Sequence, residues 1–424
     1  MKQTHDHRSF AVEVVRRLRD AGHIAYWAGG CVRDLVRGRT PQDYDVATDA
    51  KPDTVRNLFG RKRTVAVGEA FGVVVVLPPP GASPVEVATF RSEGPYLDGR
   101  RPESVVFSSP EEDAQRRDFT INGMFYDPLE DRILDFVGGR DDLQHGVVRA
   151  IGVPEERMRE DKLRLLRAVR FAAAFGFDIE AETTRAIRDM ASEITVVSVE
   201  RITQELRKML AHPERRRAME LCRDLGLMAG VLPEWLAMPG LSDSLEILER
   251  LHEPSFPLAL AALLLGVPNP ASSRRGPSEP GTLGGICRRL RLSNQEGEDC
   301  QWLQARRDEP FRSLSMSDAE LKRLLAHPLI GELLKFASAR AAVQGLDAAA
   351  VEHVRHKQGE WSPEEIDPPP LLTGHDLLRA GVRAGPVVRE LLDEVRTAQL
   401  NSEVATREAA MRWVESRRGA MRPT

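Results

Sequence analysis

Two aspartates one residue apart, Asp43 and Asp45, are the residues of this sequence whose type and spacing best suit catalysis. The run Tyr44–Ala47 predicts a β-strand, and side chains that alternate along a strand place both carboxylates on one face. Two anionic oxygen donors on one rigid face are suitable ligands for Mg²⁺. The pair therefore predicts a metal-assisted reaction.

A glycine pair, Gly29-Gly30, stands upstream of these aspartates and is followed by Arg33 and Asp34. The apolar run before it predicts a short buried strand, and residues 31–37 can form about two helical turns. Glycines between a strand and a helix let backbone N–H groups approach phosphate oxygens. With the aspartates, the pair indicates a reaction of a nucleoside triphosphate, although an ordinary tight turn would use the same residues.

A second polar group combines Arg116, Arg117 and Asp118 with Asn122. Guanidinium groups bind triphosphate oxygens, and the carboxylate and amide can hydrogen-bond a ribose hydroxyl. A solvated charged turn before the next strand would have the same composition.

A third group combines acids with arginines: Glu160, Asp161, Arg164, Arg167 and Arg170. The apolar period predicts a helix over Glu155–Phe175, on which Glu160 and Arg164 form an i,i+4 pair. Asp161 then offers acceptors and Arg164 a fork of donors, which are the groups needed to read the edge of a base. A salt-bridged amphipathic helix is the alternative.

The elements that must position these side chains change in type along the chain. Strands are predicted within Val65–Leu77, at Pro84–Phe90 and at Ile133–Phe136, whereas after residue 150 the periodicity predicts only helices. The expected fold is α+β, with a small mixed sheet and its helices followed by an all-helical remainder.

Composition narrows the class of protein. The chain has 424 residues, 42% hydrophobic and 29% charged, with a net charge of −4, so any nucleic-acid surface must be local. No apolar run approaches the roughly 18–20 residues of a membrane span, and the polar start predicts no signal peptide. Four scattered cysteines argue against a disulfide framework or a zinc site and suit a reducing cytoplasm.

In their order, the stretch AGGCVRDLVRGRTPQDYDV, the run RRDFTIN and the run EDKLRLLRAVRF resemble the motifs of class II tRNA nucleotidyltransferases. This bacterial branch holds the CCA-adding enzymes and the related poly(A) polymerases. The match extends through residues 22–210. It implies a polymerase-β-type nucleotidyltransferase head at 1–150, a base-recognising helical neck at 151–212, a helical body at 213–358 and an RNA-binding helical tail at 359–424.

The resemblance also implies roles for the motif residues. Asp43 and Asp45 bind the catalytic Mg²⁺, and Glu86 is the candidate third carboxylate, although a surface glutamate on an edge strand would look the same. The nucleotide-binding set is Gly29, Gly30, Arg33, Asp34, Arg117, Asp118, Asn122, Glu160, Asp161, Arg164, Arg167 and Arg170. Within it, Asp161 and Arg164 read the base of CTP or ATP, so the protein replaces an RNA template.

Three stretches depart from or refine the family pattern. Gly123 stands where the family commonly has alanine, which concerns packing more than chemistry. Leu258–Pro270 resembles a metal-dependent HD phosphohydrolase segment, but Leu265 and Gly266 replace its metal ligands, so it is expected to be a structural remnant. Leu371–Val414 resembles a tail element that grips the RNA elbow.

Two further stretches bear on the product. Gly60–Val67 lacks the aromatic residue and the histidine of the poly(A) polymerase signature, and Gly68–Gly72 is closer to the CCA-adding branch. The loop that CC-only enzymes lack corresponds to Arg91–Pro102. The predicted function is addition of C, C and A to tRNA from CTP and ATP. A-only addition, poly(A) polymerisation and a non-catalytic RNA-binding homologue remain alternatives.

Overall fold

The computed structural model describes residues 7–66, 72–80, 82–93, 105–268, 279 and 281–420. Residues 68–71 of the predicted Gly68–Gly72 motif and residues 94–102 of the predicted loop lie outside this described part. The chain divides into two compact units, Met1–Leu236 and Ala237–Thr424. In the described part, no helix is long and apolar enough to cross a membrane.

All the strands of the described part lie in the first unit. They are β1 (Ala25–Ala28), β2 (Asp45–Thr48), β3 (Thr64–Ala66), β4 (Val73–Val76), β5 (Val85–Thr89), β6 (Arg91–Glu93), β7 (Val105–Phe107), β8 (Phe125–Asp127), β9 (Arg132–Leu134), β10 (Val147–Val148) and β11 (Asp178–Ile179). Seven of them form one mixed sheet in the order β3-β4-β5-β2-β1-β8-β9, in which β2 and β5 are parallel. Two small sheets pair β6 with β7 and β10 with β11.

The helices of the first unit cover the sheet and then extend the chain beyond it. They are α1 (His7–Asp20), α2 (Gly30–Val36), α3 (Pro52–Phe59), α4 (Pro110–Gln115), α5 (Gly139–His145), α6 (Pro154–Glu160), α7 (Leu163–Phe175), α8 (Ala181–Asp189), α9 (Val199–Ala211), α10 (Arg215–Asp224), α11 (Met228–Val231) and α12 (Pro233–Ala237). Short 3-10 helices occupy Arg61–Arg63, Thr120–Asn122 and Ala191–Val196. A polymerase-β-type head followed by a mostly helical chain is therefore confirmed. The expectation of an all-helical remainder after residue 150 is wrong at one place, because the two-residue strand β11 pairs with β10 there.

The central strands β1, β2 and β5 are mostly apolar and mostly buried. On one side, α1 packs against β1 and β2 and buries Phe10, Val14 and Leu18 at its period. Another buried cluster lines the sheet around Phe90 and Phe125. Beyond Asp45, all residues of β2 are buried, so the first residue of this strand is its polar end.

The single helix predicted over Glu155–Phe175 is divided in two. Between α6 and α7, Asp161 has an extended backbone with φ −145° and ψ 104°. Its carboxylate accepts a hydrogen bond from the backbone N–H of Leu163 at 3.0 Å. This local bond competes with helix continuation and starts α7 afresh, which the apolar period alone cannot reveal.

The described part of the second unit is helical. Its helices are α13 (Leu241–Arg250), α14 (Phe256–Leu263), α15 (Leu283–Arg289), α16 (Asn294–Ala305), α17 (Asp318–Leu325), α18 (Ile330–Gln344), α19 (Ala348–Glu360), α20 (Pro363–Ile366), α21 (Gly374–Arg379), α22 (Pro386–Leu400) and α23 (Arg407–Ala420), with a 3-10 helix at Glu309–Ser315. In the predicted HD-like segment, α14 is almost entirely buried, as a structural helix would be. The last three helices share a separate apolar cluster that includes Leu377, Leu391 and Val414.

Gly123 offers a test of the packing beneath the sheet. A Cβ atom at this position would lie 2.6 Å from Cγ2 of Val137 and 3.1 Å from Cδ1 of Ile151. We therefore expect Gly123→Ala to lower the free energy of unfolding by about 1–3 kcal/mol through overpacking. Chemical denaturation of G123A, V137A and the double variant measures this. The double variant should recover part of the stability, and strictly additive effects would contradict the collision.

Candidate active site

Three carboxylates meet at one edge of the main sheet. Asp45 begins β2 and lies directly opposite Glu86 in the parallel register with β5. Asp43 lies in the bend before β2, so the strand begins at Asp45 and not at the predicted Tyr44. Asp43 and Asp45 are both exposed, on either side of the buried Tyr44. All three side chains are exposed, and β5 is an interior strand of the sheet.

The electrostatics of this edge indicate a shortage of positive charge. Protein atoms displace part of the hydration of Asp45, and repulsion from Glu86 adds to this effect, so the pKa of its carboxyl is raised to about 6. Asp43 contributes in the same direction, whereas Arg117 opposes it. A bound cation would relieve this repulsion.

The donor set fits a hard divalent cation, since carboxylate oxygens are its usual protein ligands. Across the described ranges, no three acidic, histidine or cysteine side chains are already gathered closely enough to hold a metal ion. The edge thus supplies suitable donors without a closed coordination shell. This arrangement is typical of a site whose remaining ligands come from a substrate phosphate or water.

Gly29 allows a guanidinium to approach this edge. Its φ of 73° lies in the left-handed region, and a Cβ atom there would lie 3.1 Å from Nη1 of Arg117. The same Nη1 donates to the backbone carbonyl of Asn122 at 3.3 Å. The glycine pair and the Arg116–Gly123 motif, separate in sequence, are therefore neighbours.

Asp113 is a residue that the motif analysis missed. It is 1% exposed, and its two carboxylate oxygens accept hydrogen bonds from Nε of Arg116 at 2.8 Å and from Nη2 of Arg117 at 2.8 Å. Burial alone would raise the pKa of Asp113, but the two guanidinium groups outweigh it and hold this pKa below its usual value. The available signal was an acid three and four residues before two arginines, at helical spacing.

A chain of hydrogen bonds joins all three predicted nucleotide motifs. Nη1 of Arg33 donates to Oδ1 of Asn122 at 2.8 Å, and Nδ2 of Asn122 donates to Oδ1 of Asp118 at 3.1 Å. Nε of Arg167 then donates to Oδ2 of Asp118 at 2.8 Å. Although burial opposes it, this interaction with Arg167 and the bond from Asn122 lower the pKa of Asp118.

Arg33 is positioned by neighbours on both sides. Oδ1 of Asp34 accepts from its Nε at 3.0 Å and from its Nη2 at 2.9 Å. The guanidinium lies over the rings of Phe171 and Phe175, 5.6 and 4.6 Å from their centroids. Asp34 thus orients Arg33, while α7 supplies the aromatic surface beneath it.

The helix break carries the predicted base-reading residues. Nη1 of Arg164 donates to Oε2 of Glu160 at 2.6 Å and to the carbonyl of Arg157 at 2.8 Å. Asp161 is held by a bidentate pair with Arg201, at 3.1 and 2.7 Å. The predicted pairing of Glu160 with Arg164 is present across the break, and Arg201 is a second residue that sequence reasoning missed.

Arg170 pairs with a residue of α9 and does not join the hydrogen-bond chain. Its Nε donates to Oε2 of Glu205 at 2.5 Å, and Glu205 is 2% exposed. The guanidinium also lies 4.1 Å from the centroid of Phe171. These contacts anchor α7 to α9 and give Arg170 a role in packing within the described structure.

The low pKa of Asp113 yields a prediction about stability. A carboxyl whose pKa is lower in the folded than in the unfolded chain stabilises the fold above about pH 4–5, and this contribution is lost as the pH falls through the folded-state pKa. We expect D113N to lower the free energy of unfolding by about 3 kcal/mol at pH 7, with a smaller difference from the unsubstituted chain near pH 3. Urea denaturation at both pH values measures this.

The matched control is Glu112→Gln, which changes an exposed neighbour of Asp113. This variant should change the free energy of unfolding by less than about 0.5 kcal/mol. A D113N effect that is equally large at both pH values would contradict the ionic origin of the stabilisation.

Comparison with known proteins places this site in a family. Residues 25–149 match the family described as "Poly A polymerase head domain", and residues 176–238 match "Probable RNA and SrmB- binding site of polymerase A". The CCA-adding enzyme of Geobacillus kaustophilus (strain HTA426) is 33% identical over 423 residues, covering 96% of each chain.

Solved structures show the same likeness. The Bacillus stearothermophilus CCA-adding enzyme in complex with CTP superposes with a TM-score of 0.77 at 29% identity, over 97% of this chain and 98% of that one. The Thermotoga maritima CCA-adding enzyme complexed with tRNA gives a TM-score of 0.63 at 20% identity, over 98% and 97%, and shows the shared fold. With full-length similarity above 30% to a CCA-adding enzyme, and with the motifs joined in one site, this chain belongs to the family of CCA-adding tRNA nucleotidyltransferases and related poly(A) polymerases.

Proposed function

We propose that this chain adds C, C and A to the 3′ end of tRNA, using CTP and ATP and no nucleic-acid template. The observation that carries the proposal is the hydrogen-bonded chain from Arg33 through Asn122 and Asp118 to Arg167, which joins the catalytic edge to α7. The relatives that match over the full length are named CCA-adding enzymes. Four free cysteines suit a cytoplasmic location.

Family members use divalent metal ions, and we propose Mg²⁺ held by Asp43 and Asp45 with Glu86 as the third carboxylate. The support is the exposed position of all three and the register that sets Glu86 opposite Asp45. When bound, such an ion supplies Lewis acidity and charge neutralisation for attack of the RNA 3′-hydroxyl on the nucleotide α-phosphate.

The residues of this chain position the reactants. Phosphoryl transfer depends mainly on alignment and on stabilisation of negative charge. Arg117, braced by Asp113 beside Gly29, is placed to bind the triphosphate near the carboxylates, and Arg33 is oriented by Asp34 for the same purpose. Asp118 is proposed to contact the sugar, which requires it to share or exchange its bond with Arg167.

We propose that the base is read at the helix break. Arg164 keeps a fixed orientation because Glu160 and a backbone carbonyl hold its Nη1. The backbone of Asp161 is extended, and two hydrogen bonds from Arg201 fix the orientation of its carboxylate. Rigid donors and acceptors select hydrogen-bonding partners more strictly than mobile ones, as discrimination between CTP and ATP requires.

The regions keep the division of labour that the resemblance implies. We propose residues 1–150 as the catalytic head, 151–212 as the nucleotide-reading neck, 213–358 as the body and 359–424 as the RNA-binding tail. From Arg157 to Arg217 the sequence carries 14 Arg and Lys against 10 Asp and Glu. This local excess of positive charge in an acidic chain supports contact with tRNA phosphates.

The product of the reaction is tested with purified protein and tRNA ending at the discriminator base, at C or at CC. With labelled CTP and ATP, we expect C, C and A to be added in that order and addition to stop. Incorporation of A alone on the CC substrate would indicate an A-adding enzyme. A long A ladder on unrelated RNA would indicate a poly(A) polymerase, and no incorporation would favour a non-catalytic homologue.

The carboxylate assignment is tested by D43A/D45A. We expect incorporation to fall on the order of 10³-fold or more because the reaction loses its charge-neutralising site, while tRNA affinity measured by anisotropy stays within about twofold. E86Q should reduce incorporation and raise the Mg²⁺ concentration needed for half-maximal rate. The matched control, Asp53→Ala, removes an exposed carboxylate on α3 and should leave all three quantities unchanged. Full activity of D43A/D45A would refute the assignment.

A further inference from the structure

An exposed cationic turn precedes β3 at the outer edge of the main sheet. It consists of Arg61, Lys62 and Arg63, which form the 3-10 helix between α3 and β3. All three side chains are exposed, and within the described residues none of them has a hydrogen-bond or ion-pair partner. Three adjacent exposed cations repel one another, so an anionic ligand would stabilise them.

The surrounding sequence reinforces this charge. Between Asp53 and Glu86 there are four basic residues, Arg56 and the three of the cationic turn, and the single acid is Glu69. The chain as a whole carries a net charge of −4. The positive charge is therefore concentrated locally and is not a general property of the surface.

The strand register places the cationic turn at the catalytic edge. Asp45 pairs with Glu86, Glu86 with Val75, and Val75 with Val65, so these four residues form one row across the sheet. Strands β2, β5 and β3 all begin on the same side of this row, and Arg63 directly precedes β3. Three strand spacings separate β3 from β2, which is roughly 14 Å.

This position suits the RNA better than the nucleotide. The triphosphate must lie at the carboxylates, where Arg117 already stands beside Gly29. The RNA must bring its 3′-hydroxyl to the same place, and its phosphates then extend away from the carboxylates across the surface. A turn of three exposed cations a few strands away is suitably located to bind that polyanion.

We propose that the cationic turn binds backbone phosphates of the tRNA acceptor end and guides the 3′ terminus to Asp45. The proposal rests on the proposed function, because it takes tRNA as the substrate. The interaction is sequence-independent, since guanidinium and ammonium groups recognise the phosphate charge. It also supplies local positive charge beside an edge that is itself acidic.

The test compares Lys62→Glu with Arg16→Glu, which makes the same charge change elsewhere. Arg16 is an exposed cation on α1. The end of this helix leads toward His23, whose Nδ1 lies 3.1 Å from Oδ1 of Asp49, beyond the opposite end of β2. A third variant replaces all of Arg61, Lys62 and Arg63 with alanine.

Dissociation constants for labelled tRNA are measured at several salt concentrations, together with kcat and the KM values for CTP and tRNA. K62E is expected to weaken tRNA binding about three- to fivefold, and the triple variant about tenfold or more. The slope of log affinity against log salt should fall by about 0.7–0.9 for each phosphate that the variant no longer binds, hence by about 2 in the triple variant. R16E should match the unsubstituted chain, and the KM for CTP should not change.

The possible outcomes distinguish failure of this proposal from failure of the proposed function. Failure of the unsubstituted chain to extend tRNA refutes the proposed function. If tRNA is extended normally but the triple variant has an unchanged dissociation constant and salt slope, only the proposed role of the cationic turn is refuted. An altered KM for CTP with unchanged tRNA binding would assign the turn to the nucleotide and overturn the proposal as well. Thermal unfolding by circular dichroism checks that these exposed substitutions leave the fold intact.

Discussion

The bond between Asp118 and Arg167 is the interaction on which the rest of the site depends. It ties the loop after α4 to α7, and through Asn122 it also fixes Arg33 behind the glycine turn. The side chain of Asp118 is mostly buried. Removing one of its partners would leave a poorly hydrated charge without compensation and would destabilise the fold. This hydrogen-bond network therefore links the region of the sheet to the helices beyond it. The aromatic ring of Phe171 packs against two arginines of the network, Arg33 and Arg167.

A second constraint is the repulsion among carboxylates at the end of β2. Folding places Glu86 opposite Asp45 even though like charges oppose it, and the apolar remainder of the two strands stabilises the pairing. Arg117 offsets part of the repulsion, and buried Asp113 keeps that arginine in position. The carboxylates that we propose as metal ligands therefore oppose the strand pairing that brings them together, and a bound cation would relieve that repulsion.

Positive groups flank the carboxylates of this edge on both sides. Carboxylates occupy the start of β2 and β5, a braced arginine stands on one side, and the exposed cations of Arg61–Arg63 lie on the other, next to β3. The residues proposed to read the base lie at the break between α6 and α7, where Arg164 also contacts the backbone carbonyl of Arg116 at 3.4 Å. The proposed sites of catalysis, nucleotide selection and RNA binding are thus different parts of the first unit.

The sequence by itself determined the local features: the strand and helix types, the glycine turn, the arginine motifs and the pairing of Glu160 with Arg164. These features depend on local backbone preferences and on the spacing of apolar residues over a few neighbouring positions. Only the tertiary structure decided that Glu86 faces Asp45, that Asp113 braces two arginines and that the helix stops at Asp161. Each of these depends on a strand register, a buried counter-charge or a bond from a side chain to the backbone. The pattern of apolar residues does not report such polar partners.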